Sequence, residues 1–203
     1  MYHMRYEEFV KRTIEEFVAK GNIPSDHYPD MEIYMDQVAN FMNKELKVYK
    51  KNDKDKVITK TMIGNYVKHN MLPRPVNKKY SKDHLILLTL IYYLKGIFQM
   101  DEIEKLMKPL IDNYNSEFDD KINLTSIYEG ILAVQEIQRD TMAQKTRETM
   151  ENIKYNLKEA ELSDDDMLEL FMLIVNLSMK AEAEKYLAQH LLNEYVINKK
   201  QKK

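Results

Sequence analysis

The chain has 203 residues, of which 44% are hydrophobic and 32% charged, and its net charge is −2. Those proportions describe a folded globular protein of one fair-sized domain or two small ones, and exclude a disordered chain. The absence of cysteine excludes disulfides, thiolate metal sites and a cysteine nucleophile together, and fits a reducing, cytoplasmic setting.

The opening stretch MYHMRYEEFVKRTIEEF is interrupted by charge and lacks the apolar core of a secretory signal. The chain holds four Gly and five Pro, with no Pro after Pro109 and no Gly after Gly130. Apolar residues recur at three and four, and no hairpin turn pair stands out, so the fold class is all-α.

In chain order, the spacing predicts a first helix over Arg5 to Lys20 with a stripe of Tyr6, Phe9, Val10, Ile14, Phe17 and Val18, stopped by Gly21. Pro24 and Pro29 punctuate a loop. Asp30 is expected to cap a second helix from Met31 into the high forties, with Met35, Val38, Phe41, Met42 and Leu46 inward. The charged segment Lys47 to Lys56 reads as a loop or a frayed helix end. A third helix opens at Thr59, whose hydroxyl can accept from the Met62 amide, and Ile63, Tyr66 and Val67 face inward. Pro73 and Pro75 force an extended path. Ser81 caps the next helix, with Leu85, Leu88, Ile91, Tyr92 and Leu94 on its buried side and Gly96 as its break. The greasy run from Leu85 to Phe98 contains Lys95 and is shorter than the roughly 20 residues a membrane span needs, so it reads as a core helix. A short helix follows over Asp101 to Leu110.

Asp112 to Lys121 reads as a linker. A long helix then runs from Leu124 to about Lys158 with Ile127, Ile131, Val134 and Ile137 as its stripe, its polar middle in solvent or against another chain. Ser163 is expected to cap the last helix, with Asp164, Asp165 and Asp166 on the positive end of its dipole. The expected division is therefore an N-terminal domain over residues 1–111 and a helical C-terminal domain over residues 122–203.

Charge is unevenly spread. Lys44 to Lys82 holds twelve Lys and Arg against three acids, a local +9, so the rest of the chain carries −11. Positions 60, 61, 64, 65 and 68 share the helix face opposite Ile63, Tyr66 and Val67. A basic helix face beside further lysines is the electrostatic footprint of a nucleic-acid partner.

The order helix, loop, helix, Pro-bounded excursion, helix and short helix over residues 35–110 resembles the DNA-binding domain of mercury-resistance-type (MerR-type) regulators. MDQVANFM stands for the family's first helix, and Thr59-Lys60-Thr61-Met62-Ile63-Gly64-Asn65-Tyr66 for its recognition helix. Met71-Leu72-Pro73-Arg74-Pro75 ends that helix, Lys79-Tyr80-Ser81 closes the wing, and Gly96 to Ile103 matches the final helix pair. The resemblance implies a winged helix-turn-helix that contacts double-stranded DNA through Lys60, Thr61, Gly64, Asn65, Lys68, Arg74, Lys78, Lys79 and Tyr80. Two positions depart from the family pattern: its recognition-helix Arg falls on Gly64 and its first Tyr on Asn65. Over most of its length the chain also resembles an uncharacterised family of Gram-positive bacterial proteins, a domain of unknown function of the DUF1836 type.

The five His show no ligand spacing, and no phosphate loop, Gly-x-Ser-x-Gly or His-Glu-x-x-His occurs, so neither an enzyme nor a metal or other cofactor is expected. The leading expectation is a cytoplasmic transcriptional regulator, a homodimer because such motifs usually read two half-sites, with its effector left open. The alternative is a helical protein-interaction module that keeps the winged fold without DNA binding, for which Gly64 is the best support.

Overall fold

The computed structural model describes residues 6–19, 21–49, 56–114, 123–162 and 165–197. Among them the chain is mostly helical. The helices are α1 (Tyr6–Ala19), α2 (Met35–Glu45), α3 (Lys60–Lys68), α4 (Lys82–Leu94), α5 (Met100–Tyr114), α6 (Leu124–Glu159) and α7 (Asp166–Leu191). Two short strands, β1 (Ile33–Tyr34) and β2 (Lys79–Tyr80), pair antiparallel, Ile33 opposite Tyr80 and Tyr34 opposite Lys79.

The chain forms two units. One comprises Met1–Asn22 and Leu132–Leu187, the other Ile23–Ile131 and Ala188–Lys203. This grouping differs from the expected division at residues 1–111 and 122–203. The reason is that α1 buries Val10 and Ile14 in one cluster with Ala143, Met150, Ile153, Leu157 and Leu173. Lys154 and Glu7 form an ion pair at 2.5 Å across this cluster, and that contact holds the Lys154 ammonium pKa above its ordinary value.

In the unit around residues 23–131, α4 is central. His84 to Thr89 are all buried without interruption, as a helix covered on every side requires. Val38, Met42 and Leu46 of the α2 segment, Ile63 and Tyr66 of α3, and Tyr80 of β2 are buried in the same unit. Each such side chain removed from water stabilises the fold by roughly 1.5–3 kcal/mol. A buried hydroxyl chain fixes the rear. Tyr128 donates to the Ile23 carbonyl at 2.8 Å and accepts from Tyr28 at 3.1 Å, and the Tyr28 oxygen lies 2.8 Å from the Thr89 hydroxyl. Burial pushes the Tyr28 pKa up to about 12, so its proton stays in place as a donor.

Several boundaries differ from the sequence reading, each for a local reason. Asp30 does not cap α2; Ile33 and Tyr34 are drawn into strand pairing first, and the helix opens after Tyr34, whose amide donates to the Gln37 side chain at 2.9 Å. At α7, Asp165 Oδ1 accepts from the amides of Met167 and Leu168 at 2.9 and 3.1 Å and so caps the helix; Ser163, the expected cap, lies outside the described residues. The helix of 101–110 extends to Tyr114 with Pro109 inside it, and the remainder of the expected linker, 115–121, lies outside the described residues. On α6 the expected stripe is not the buried one: Ile131, Val134 and Ile137 are exposed, while Ala143 and Thr146 of the polar middle are buried. The α6 helix ends in a turn where Glu161 takes a φ of 58°, the Glu161 amide bonding the Lys158 carbonyl and the Leu162 amide the Leu157 carbonyl.

Candidate nucleic-acid interface

The candidate face is built on α3. As the sequence predicts, Thr59 Oγ1 accepts from the Met62 amide at 3.2 Å, which fixes where the helix begins. Its approach is clamped from α2 and α4. Asn43 Nδ2 donates to the Ile58 carbonyl at 2.6 Å and to the Ala39 carbonyl at 2.7 Å, while Asn43 Oδ1 accepts from the Val57 amide at 2.8 Å. Lys95 Nζ donates to the Val57 carbonyl at 3.0 Å and lies 4.6 Å from the centre of the Tyr92 ring. Burial pulls the Lys95 pKa below its ordinary value. The connector of unassigned role from Lys44 to Val57 thus returns to a fixed point; its residues 50–55 lie outside the described residues.

The end of α3 is equally defined. Asn70 stands at a φ of 53°, its amide bonding the Val67 carbonyl at 3.2 Å and the Met71 amide the Tyr66 carbonyl at 2.9 Å. This is a Schellman ending with Asn in the left-handed position, which Asn tolerates better than most residues. Met71 and Leu72 then turn inward and are buried.

Between those ends, Lys60, Thr61, Gly64, Asn65 and Lys68 are exposed, opposite the buried Ile63 and Tyr66. Gly64 sits in the middle of this face, and a Cβ built there meets no atom within 4 Å. The departure from the regulator pattern is therefore not a packing requirement.

The excursion after Pro75 closes as a tight hairpin. The Lys79 amide donates to the Val76 carbonyl at 2.9 Å, and the two central residues, Asn77 and Lys78, have φ of 49° and 63°. Two successive positive φ values are the signature of a type I′ turn, which normally calls for Asn-Gly. Lysine in the second place hid the hairpin from sequence inspection and costs about 1 kcal/mol of backbone strain.

The start of α2 brings the two basic segments together. Lys79 Nζ lies 5.7 Å from the centre of the Tyr34 ring, and two residues further on Asp36 forms an ion pair with Lys60. Lys60 of α3 and Lys79 of the hairpin thus flank the same turn of α2. Arg74 and Lys78 are exposed, and Lys79 is half-buried. Tyr80 is the exception among the expected contact residues. It is 2% exposed, and its ring stands edge-on to His84 at 5.4 Å. Its role is to hold the hairpin onto α4, because strand alternation turns Tyr80 to the face opposite the half-buried Lys79.

His84 completes that anchor. Its Nδ1 accepts from the Ser81 amide at 3.1 Å and lies 2.8 Å from the Ser81 hydroxyl. Burial lowers its pKa, opposed by hydrogen bonding to the backbone at Arg74 and Pro73 and by the charges of Asp83 and Glu32. Sequence reasoning missed three participants: Tyr34, an exposed aromatic beside the lysines; Asp36, which neutralises one of them; and Asn43, which sets the helix start. Only the Gln37 pairing with the Tyr34 amide left a local pattern that a capping-box search can find.

Among the described residues no group of three or more His, Asp or Glu is placed to hold a metal ion, and no helix is long and apolar enough to cross a membrane. A family model described as Domain of unknown function (DUF1836) matches residues 23–131, just over half of the chain, and no MerR-type model matches. No curated protein and no solved structure matches the chain.

Proposed function

This chain belongs to the family described as Domain of unknown function (DUF1836), and from that premise we propose that it is a DNA-binding transcriptional regulator whose residues 23–131 carry a MerR-like winged helix-turn-helix. The observation that carries the reading is the exposed α3 face, where Lys60, Thr61, Gly64, Asn65 and Lys68 stand without a carboxylate of their own helix among them. Pairing of β1 with β2 sets the basic hairpin beside the start of α2, as a wing flanking a two-helix reader requires. In this reading α3 enters the major groove, Asn65 hydrogen-bonds an adenine edge, and Lys60, Lys68, Arg74, Lys78 and Lys79 hold phosphates.

A second copy of the chain fits the same reading. Met167, Phe171, Ile174, Val175, Met179 and Tyr186 form one exposed stripe on α7, opposite the buried Leu173. From their fractional exposures, the stripe offers on the order of 800 Å², the size one partner contributes to a standard interface. A homodimer places two α3 helices for two half-sites.

The test is a mobility-shift screen of the purified protein against a genomic-fragment library at low salt. Binding that weakens linearly in log–log plots against salt, with a slope of about −0.9 per phosphate contacted, is expected. No shifted fragment under these conditions removes the proposal. The bare centre of the face at Gly64 favours a second reading, a helical protein-interaction module with the same architecture. A protein partner captured through the basic face, in a preparation that shifts no DNA, selects it.

A further inference from the structure

We propose that Asp36 is a built-in competitor for DNA phosphate: its carboxylate holds Lys60 in the free protein and so lowers affinity for DNA of any sequence. The inference rests on the DNA-binding reading and adds a regulatory residue that reading does not contain.

Asp36 stands in the first turn of α2 and Lys60 is the first residue of α3. The two side chains form an ion pair between helices while remaining exposed, Asp36 by 67% and Lys60 by 60%. A pair that open to water contributes little to stability, so the fold does not depend on it. Its position matters more. Lys60 is the first cation of the α3 face, and Asp36 lies two residues from Tyr34, over whose ring Lys79 rests. The carboxylate therefore holds the first cation of α3 from the same turn of α2 whose Tyr34 ring lies beneath Lys79. Asp30 repeats the theme nearby: it is 96% exposed and 3.6 Å from Lys82 Nζ.

Two consequences follow for an incoming phosphate. Lys60 must leave its carboxylate before it can bind, so one counterion fewer is released on association. The uncovered carboxylate then faces the phosphate and repels it. Both effects weaken binding to all sequences alike, because neither involves a base edge. Contacts that read bases, such as those proposed for Asn65, are untouched, so specific and non-specific complexes weaken by the same factor and the ratio between them is unchanged.

The experiment compares wild type, Asp36→Asn, Asp36→Glu, Lys60→Ala and the Asp36→Asn/Lys60→Ala double variant. Each is titrated by fluorescence anisotropy against a random-sequence duplex between 50 and 200 mM salt, after thermal unfolding shows the same folded state. Asp36→Asn is expected to bind about two- to tenfold tighter, with a salt slope steeper by about 0.9, while Asp36→Glu behaves as wild type. In the Lys60→Ala background the steepening is expected to vanish, leaving only the smaller gain from lost repulsion. Equal affinity of wild type and Asp36→Asn overturns the competitor role alone, as does an undiminished gain without Lys60. Absence of binding by every variant overturns it together with the DNA-binding reading.

Discussion

Asn43 Nδ2 reaches the Ile58 carbonyl at 2.6 Å while its Oδ1 takes the Val57 amide at 2.8 Å. One side chain of α2 thus satisfies both faces of the backbone that leads into α3. Removing it leaves two half-buried peptide groups unpaired. Asn43→Ala is expected to destabilise the protein by about 2–3 kcal/mol, read as a lower midpoint in urea with an unchanged slope. Asn43→Asp, which keeps the acceptor and loses the donor, is expected to fall between the two.

The hairpin tip allows charge and strain to be separated. Lys78→Gly removes a cation and relieves a φ of 63°. Stability is expected to rise by about 1 kcal/mol, while affinity for random-sequence DNA falls and its salt slope flattens. A variant that is more stable and binds as tightly as wild type removes Lys78 from the proposed interface.

Gly64 offers a matching test at the centre of α3. With open space around the built Cβ, Gly64→Ala is expected to add about 1 kcal/mol of stability through helix propensity. Gly64→Arg places a cation at the centre of the exposed face, and on the DNA-binding reading tightens binding. Thermal unfolding and anisotropy titration on the same preparations check both.

His84 makes stability depend on pH. Its folded pKa lies below the ordinary value of 6.5 because burial disfavours the imidazolium. The unfolded chain therefore takes up a proton first as pH falls. The contribution is complete above about pH 6.5 and is lost progressively below it. Urea titrations at successive pH values are expected to show this acid-side loss in the wild type and a smaller one in His84→Gln.

The α7 stripe predicts a change of mass. Phe171→Asp, at a site 62% exposed, is expected to leave helix content unchanged and to convert a dimer to a monomer in sedimentation equilibrium. A wild-type protein that is monomeric throughout the micromolar range contradicts the dimer.

Local chemistry made some of this architecture legible. The Thr59 cap, the break at Gly96 and the extent of α6 follow from side chains that act within one turn. Pairings between distant segments were not. Nothing in Ile33–Tyr34 announces a strand, because a two-residue strand has no period; only the partner at Lys79–Tyr80 makes it one. Apolar spacing also misled on α6. Val134 and Ile137 are larger than Ala143 and Thr146, yet the smaller pair is buried, because small side chains leave room for a neighbouring helix to pack closely. At the candidate interface, spacing was sufficient to tell which residues of α3 face solvent. It was insufficient for Tyr80, whose direction follows from strand alternation, and for Asp36, whose relation to Lys60 exists only once α2 and α3 are folded together.

The clustering of α1 with residues from the far end of the chain imposes an order on biosynthesis. Glu7 waits for Lys154, 147 residues later, before its half of the molecule can close. Residues 23–131 leave the ribosome well before that. They can fold while the N-terminal helix is still without its core, so Val10 and Ile14 are apolar surface for the whole of that interval. A nascent chain of this protein is therefore expected to spend much of its synthesis with α1 still without its partners, while the middle awaits only its last piece from residues 188–197, and that is when a chaperone would find α1.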